Sequence, residues 1–162
     1  MNFSTYVQTF NFSAIDIPVV NEPFFVALGM CGESGEALEK VLLEDTPGLL
    51  LELGDTAWYI CKMAAVLKLQ LTPIHTDGKT LLVSVANLSV QSSAVADLVK
   101  KGLRGGELKV ARVHEHLNMA IGLVAATARL AGVDLPTILQ MNRTKLEDRQ
   151  RRNVIHGSGD NR

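Results

Sequence analysis

Apolar residues recur at helical spacing along most of the chain, and breaks in that pattern divide it into six runs. The first, 3–12, sets Phe3, Tyr6, Val7 and Phe10 on neighbouring positions behind Ser4, a suitable N-cap. Ile17-Pro18 and Asn21-Glu22-Pro23 interrupt it. Pro23 suits the first turn of a second helix running to about Glu44 with Phe25, Leu28, Met30, Leu38, Val41 and Leu42 as its apolar positions. Thr46-Pro47-Gly48 reads as a short connection to a third helix, about Leu49–Leu69, ended by Leu71-Thr72-Pro73. The stretch His75-Thr76-Asp77-Gly78 reads as loop. A fourth helix is expected over roughly 79–101, with Gly102, Gly105 and Gly106 after it, and a fifth over about 107–131, closed by Gly132. Asp134, ahead of Leu135-Pro136, is placed to cap a sixth over about 136–151, and the remainder reads as tail or loop. No alternating run stands outside these longer patterns. The expectation is therefore an all-α bundle of about six helices, a single domain over 1–162.

Two features of the pattern go beyond fold class. Gly29, Gly32 and Gly35 fall close to one face of the second run. Each glycine costs a helix interior about 1 kcal/mol relative to alanine, so their spacing points to close approach by another helix or a ligand. The chain also echoes itself. Segment 24–42 overlays 81–99, and 52–73 overlays 115–136, matching Ala57 with Ala120, Leu67 with Leu130 and Pro73 with Pro136. The identities are few, and they outline a degenerate internal repeat of 24–73 and 81–136 as one candidate reading. In that overlay Glu33 and Glu36 meet Val90 and Ser93, and Asp55 meets Asn118, so the first half alone carries the acids.

Composition narrows the class. Hydrophobic residues make up 47% of the 162 positions and charged residues 20%, as in ordinary soluble globular chains. With 5% aromatic residues the core must be built from Leu, Val, Ala and Ile. A net charge of −1 argues against general nucleic-acid binding. No stretch is expected to reach the length and apolarity of a membrane span, and MNFSTYVQTF lacks the basic start and apolar run of a signal peptide. Cys31 and Cys61 form no CxxC pair, consistent with two reduced cysteines in the cytoplasm.

The unusual chemistry lies in 24–60. Glu33 and Glu36 are spaced i, i+3, as are Glu52 and Asp55, so each pair projects together from its helix. A hairpin turning at 46–48 brings the pairs face to face. Two like charges about 6 Å apart repel by roughly 3 kcal/mol at an effective dielectric near 20, so four carboxylates in one volume call for protons or a cation. Oxygen ligands without His or Cys select Mg²⁺ or Mn²⁺. Solvated surface acids are the plain alternative, but Ala37, Leu38, Leu51, Leu53, Trp58 and Ile60 leave little polar face. A di-iron carboxylate bundle would need two Glu-x-x-His elements, and the chain has none; His114 and His116, at i, i+2, diverge.

The run ALGMCGESGEALEKV followed by LELGDTAWYI resembles the MazG-like all-α NTP pyrophosphohydrolases, the superfamily that also holds the dimeric dUTPases. The shared pattern is ExxE, a gap, then ExxD: here Glu33-x-x-Glu36, fifteen residues, and Glu52-x-x-Asp55. The closing NRTKLEDRQRRNVIHGSGDNR is similar to that of small, phage-type members. The motifs cover about a third of the chain. The resemblance implies a bundle whose Glu33, Glu36, Glu52 and Asp55 bind Mg²⁺ or Mn²⁺ and which hydrolyses an NTP or dNTP to the monophosphate and pyrophosphate. Glu36 would also orient or deprotonate the attacking water. Asn142 and Lys145 match the family's NxxKL element, Lys145 toward phosphate and Asn142 toward phosphate or sugar. Arg149, Arg151 and Arg152 are less specific helpers, and Trp58, bordering the acidic face, is either a base-stacking wall or core filler. The resemblance further implies a dimer or tetramer in the cytoplasm (the host's, if phage-encoded), a lean to purine substrates such as dGTP or GTP, and dUTP or dCTP as alternatives. A non-catalytic helical oligomerisation module is the rival outside the enzyme class. One departure stands out: compact members pass almost directly from the ExxD helix to the NxxKL helix, whereas roughly seventy residues intervene here. That leaves open whether Lys145 serves its own chain's site or a neighbour's.

Overall fold

Proline and aspartate set the helix starts. The computed structural model describes residues 5–6 and 22–152, and among these it forms five helices and no strand. Helix α1, Glu22–Leu42, opens with Pro23 in its first turn, where a missing N–H costs nothing. Helix α2, Thr46–Val66, begins three residues before the expected start. Asp45 Oδ1 accepts from the Gly48 amide at 2.9 Å and Pro47 lies in the first turn, so Thr46-Pro47-Gly48 is helix and the connection shrinks to 43–45. Glu44 turns that corner at φ 56°, and Lys68, at φ 55°, stops α2 short of Leu69.

Helix α3, Leu81–Leu103, is capped by Thr80, whose hydroxyl accepts from the Val83 amide. Helix α4 spans Val110–Leu130, starting three residues later than the pattern suggests. Helix α5, Leu135–Arg151, carries the expected cap: Asp134 Oδ1 accepts from both the amide and the hydroxyl of Thr137, which holds its carboxyl below the usual range. The all-α architecture is as expected, with five helices rather than six. Of the expected first helix only Thr5 and Tyr6 are described, both helical; the rest of 3–12 and the tail beyond 152 lie outside the described residues.

The first four helices close into a ring in which α1 packs on α2 and α3, and α4 packs on α2 and α3; α5 lies mainly against α2. The link 67–80 sets the directions by running along α4. His114 Nε2 meets the Gln70 carbonyl at 2.8 Å, Thr72 N donates to Asn118 Oδ1 at 2.7 Å, Ile74 N donates to the Asn118 carbonyl, and Arg129 donates to the Thr76 carbonyl. The end of α2 therefore sits by the start of α4, and the start of α3 by the end of α4, so ring neighbours are antiparallel. A Cβ on Gly122 would stand 1.9 Å from the Ile74 carbonyl oxygen, which is why this α4 position has no side chain. Two tandem hairpins result, the arrangement that the overlay of 24–73 on 81–136 requires. The two histidines are thus occupied in packing, His116 Nδ1 meeting Gln91 Oε1 at 2.8 Å.

The core runs through the ring from Met30, Ala37, Leu53 and Ile60 to Leu88, Val95, Leu117 and Ile121, with Ile138 and Leu139 sealing the α5 side. Each fully buried large aliphatic contributes about 1.5–3 kcal/mol. One expectation is corrected. Helix α3 is long and apolar enough by composition to cross a membrane, with mean hydropathy 1.3. Part of that apolarity is turned inward, since Val85, Leu88, Val95 and Val99 are buried against the ring. Both cysteines are free, and burial pushes the Cys61 thiol up to about 12.

Candidate metal centre

The α1–α2 hairpin brings the acids together as the i, i+3 spacing requires. Carboxylate oxygens of Glu33, Glu36 and Glu52 all lie within 4.8 Å of one another. Their exposure is graded: Glu52 is buried at 2%, Glu33 is half-buried and Glu36 faces solvent. The cluster therefore has a floor and an open mouth. Burial pushes the Glu33 carboxyl up to about 8, with the charges of Asp55, Glu36 and Glu52 adding to the rise and that of Lys145 opposing it.

Asp55, the fourth acid, is near enough to act on Glu33 but is held by α5. Asn142 Nδ2 donates to its Oδ1 at 2.6 Å, and Lys145 Nζ forms an ion pair with its Oδ2. The NxxKL helix thus meets the ExxD helix of the same chain. Gly54 permits that approach, since a Cβ there would come within 3.0 Å of Asn142 Cβ. Asn142 is itself buried, and Tyr6 donates its hydroxyl to Asn142 Oδ1 at 2.8 Å. Tyr6 is fully buried, and burial, ahead of the charges of Cys61 and Asp55, raises its phenol above the ordinary value.

The other candidates are placed less centrally. Arg149, one turn beyond Lys145, is buried rather than on a solvated face. Arg151 and Arg152 pair with Asp148 at 2.5 and 2.7 Å on the exposed end of α5. Trp58 is half-buried and meets Tyr59 edge-on, centroids 4.8 Å apart. Tyr59 in turn lies over Gly29, where a Cβ would come within 2.2 Å of the ring. Close packing therefore accounts for Gly29, while Gly32 and Gly35 have nothing within 4 Å of an added Cβ. Sequence reasoning missed two contributors. Gly54 was visible, enclosed between Glu52 and Asp55. Tyr6 had no local signal, because its partner is 136 residues away.

Compared with family models, curated proteins and solved structures, the chain matches none. The donor chemistry can still be tested on its own terms. Among the described residues the cluster is all carboxylate oxygen, and one member is withdrawn from water. That set suits a hard divalent cation, Mg²⁺ or Mn²⁺, and not a soft one.

Proposed function

We propose that the chain is a metal-dependent nucleotide pyrophosphohydrolase, cutting a nucleoside triphosphate to the monophosphate and pyrophosphate. The observation that carries this reading is the convergence of Glu33, Glu36 and Glu52, with Asp55 beside them tied to the cationic helix α5. The nucleotide enters through the resemblance of GESGE, LGDxxWY and NxxKL to the MazG-like enzymes. Purine deoxynucleotides such as dGTP are the favoured substrates, GTP next, and dUTP or dCTP the alternatives.

Glu33, Glu36, Glu52 and Asp55 would hold Mg²⁺ or Mn²⁺, which supplies neutralisation of phosphate charge and activation of water. Glu36, at the open mouth, orients the attacking water and takes its proton. Glu52, on the floor, offers a buried carboxylate ligand that anchors the site. Lys145 and Arg149 offer positive charge to the phosphates, with Asn142 positioning Asp55. Trp58 borders the place where a base would lie.

The test is incubation with each NTP and dNTP in Mg²⁺ or Mn²⁺, with products identified. Monophosphate and pyrophosphate are expected; orthophosphate as the released product, or no turnover of any nucleotide, would overturn the reading. Exposed Leu28, Leu42 and Leu43, 66–69% accessible, favour a second reading, a self-associating helical module of dimer or tetramer form without catalysis. That reading requires no stabilisation by Mn²⁺ with nucleotide.

A further inference from the structure

The two oxygens of Asp55 are held in unlike ways. Oδ1 receives Asn142 Nδ2 at 2.6 Å, and that amide is braced: it is buried, packed on Gly54, and hydrogen-bonded at its far end by the Tyr6 hydroxyl. Oδ2 receives Lys145, a compact ammonium on a flexible four-carbon stem. Lysine and carboxylate are both largely enclosed, their side chains 13% and 14% exposed. The Lys145 charge reaches the cluster as well, opposing the burial and repulsion felt by Glu33. In this state an ammonium answers part of the demand for positive charge among four carboxylates.

A divalent cation at the cluster answers the same demand more fully. A divalent cation repels an ammonium twice as strongly as a monovalent one at the same distance. Ammonium and metal are therefore rivals for this corner. Asn142, neutral and braced, has no such reason to move.

We propose that Lys145 is a resident counter-ion of the metal centre: loading Mg²⁺ or Mn²⁺ releases it from Asp55 Oδ2, and the freed ammonium then binds the triphosphate. The inference rests on the metal reading given above. It makes metal and triphosphate binding interdependent through one side chain. The empty site keeps its phosphate-binding cation folded away, and the loaded site presents it.

The exchange is read on the full chain by amine acylation of Lys145, followed by peptide mass spectrometry. Labelling is slow in chelator, rises at least about tenfold in saturating Mg²⁺, and falls again when inorganic tripolyphosphate is added with Mg²⁺. Glu52→Gln, which removes a ligand and leaves Lys145 in place, abolishes the rise. In Lys145→Met, Mn²⁺ measured by electron paramagnetic resonance without nucleotide binds at least about fivefold more tightly. Stabilisation of the wild type by Mg²⁺ with Lys145 labelling unchanged overturns the exchange and leaves the metal reading standing. Unchanged or weaker Mn²⁺ binding in Lys145→Met also overturns the exchange. Absence of any Mg²⁺ or Mn²⁺ effect on melting or resonance overturns both.

Discussion

Asn142 Nδ2 donates to Asp55 Oδ1 at 2.6 Å, so the last described helix closes directly on an acid of the second. The amide is a bridge, since its own oxygen accepts from the buried Tyr6 hydroxyl. Removing the bridge strands both ends: a buried phenol loses its acceptor and a mostly enclosed carboxylate oxygen loses a donor. Unsatisfied buried groups cost about 1–3 kcal/mol each, more when charged. Asn142→Ala is expected to lose about 3 kcal/mol in denaturant unfolding, and Tyr6→Phe, which breaks one neutral bond, about 1 kcal/mol. Equal losses would show that Asn142 is not the bridge. Activity should fall in both variants, more in Asn142→Ala.

Glu33 makes the metal-free protein sensitive to pH. Its carboxyl is raised from 4.5 to about 8, first by burial and then by Asp55, Glu36 and Glu52. Between these values the folded chain keeps a proton that the unfolded chain has released. Stability from this group is therefore full below about 4.5, falls as pH rises through the window, and is flat above about 8. Melting in chelator should decline from pH 5 to pH 8, and Glu33→Gln should flatten the decline. If Glu33 ligates Mg²⁺ as proposed, its ligand form is the deprotonated one, so Mg²⁺ affinity is expected to rise toward pH 8. A decline undiminished in Glu33→Gln would assign it elsewhere.

Much of this arrangement was legible in residue order, for a physical reason. Helical periodicity, Pro23 and the Asp134 cap are local signals, and they located the helices to within a few residues. The i, i+3 spacing on helices joined by a short turn was enough to bring Glu33, Glu36 and Glu52 together, while Asp55 beside them is turned to Asn142 and Lys145. What was hidden depends on tertiary contact. Asp45 competes with Thr46-Pro47-Gly48 for the role of turn, and only its hydrogen bond to Gly48 N shows that the helix starts there. Tyr6 reads as an ordinary apolar position until α5 is folded against α2. The apolarity of α3 is shared between core contacts and exposed Leu82, Val83 and Val90, a division that composition does not reveal.

The link between the hairpins depends on a bare position on α4. The Ile74 carbonyl lies where a Gly122 side chain would be, while Ile74 N and Thr72 N donate to Asn118. An added methyl meets backbone at 1.9 Å, which no rotamer can relieve, so the link must lift. Gly122→Ala gains helix propensity of about 1 kcal/mol, yet overpacking against backbone costs about 1–3 kcal/mol or more. A net loss is expected, with faster amide exchange confined to Thr72, Ile74 and Thr76. A more stable variant would show that the link is free to move away at little cost.

The graded exposure of the acids separates their roles. Glu36 faces solvent, but its charge adds to the rise at Glu33, so Glu36→Gln is expected to raise metal-free melting slightly. Its main expected effect is on chemistry, with most turnover lost while the protein stays folded. Glu52 is buried beside Glu33 and Glu36, so a neutral amide of the same shape removes a ligand from the floor of the cluster. Glu52→Gln should therefore weaken or abolish any stabilisation by Mg²⁺. Both substitutions are expected to lower turnover. Stabilisation by Mg²⁺ undiminished in Glu52→Gln would remove Glu52 from the ligands.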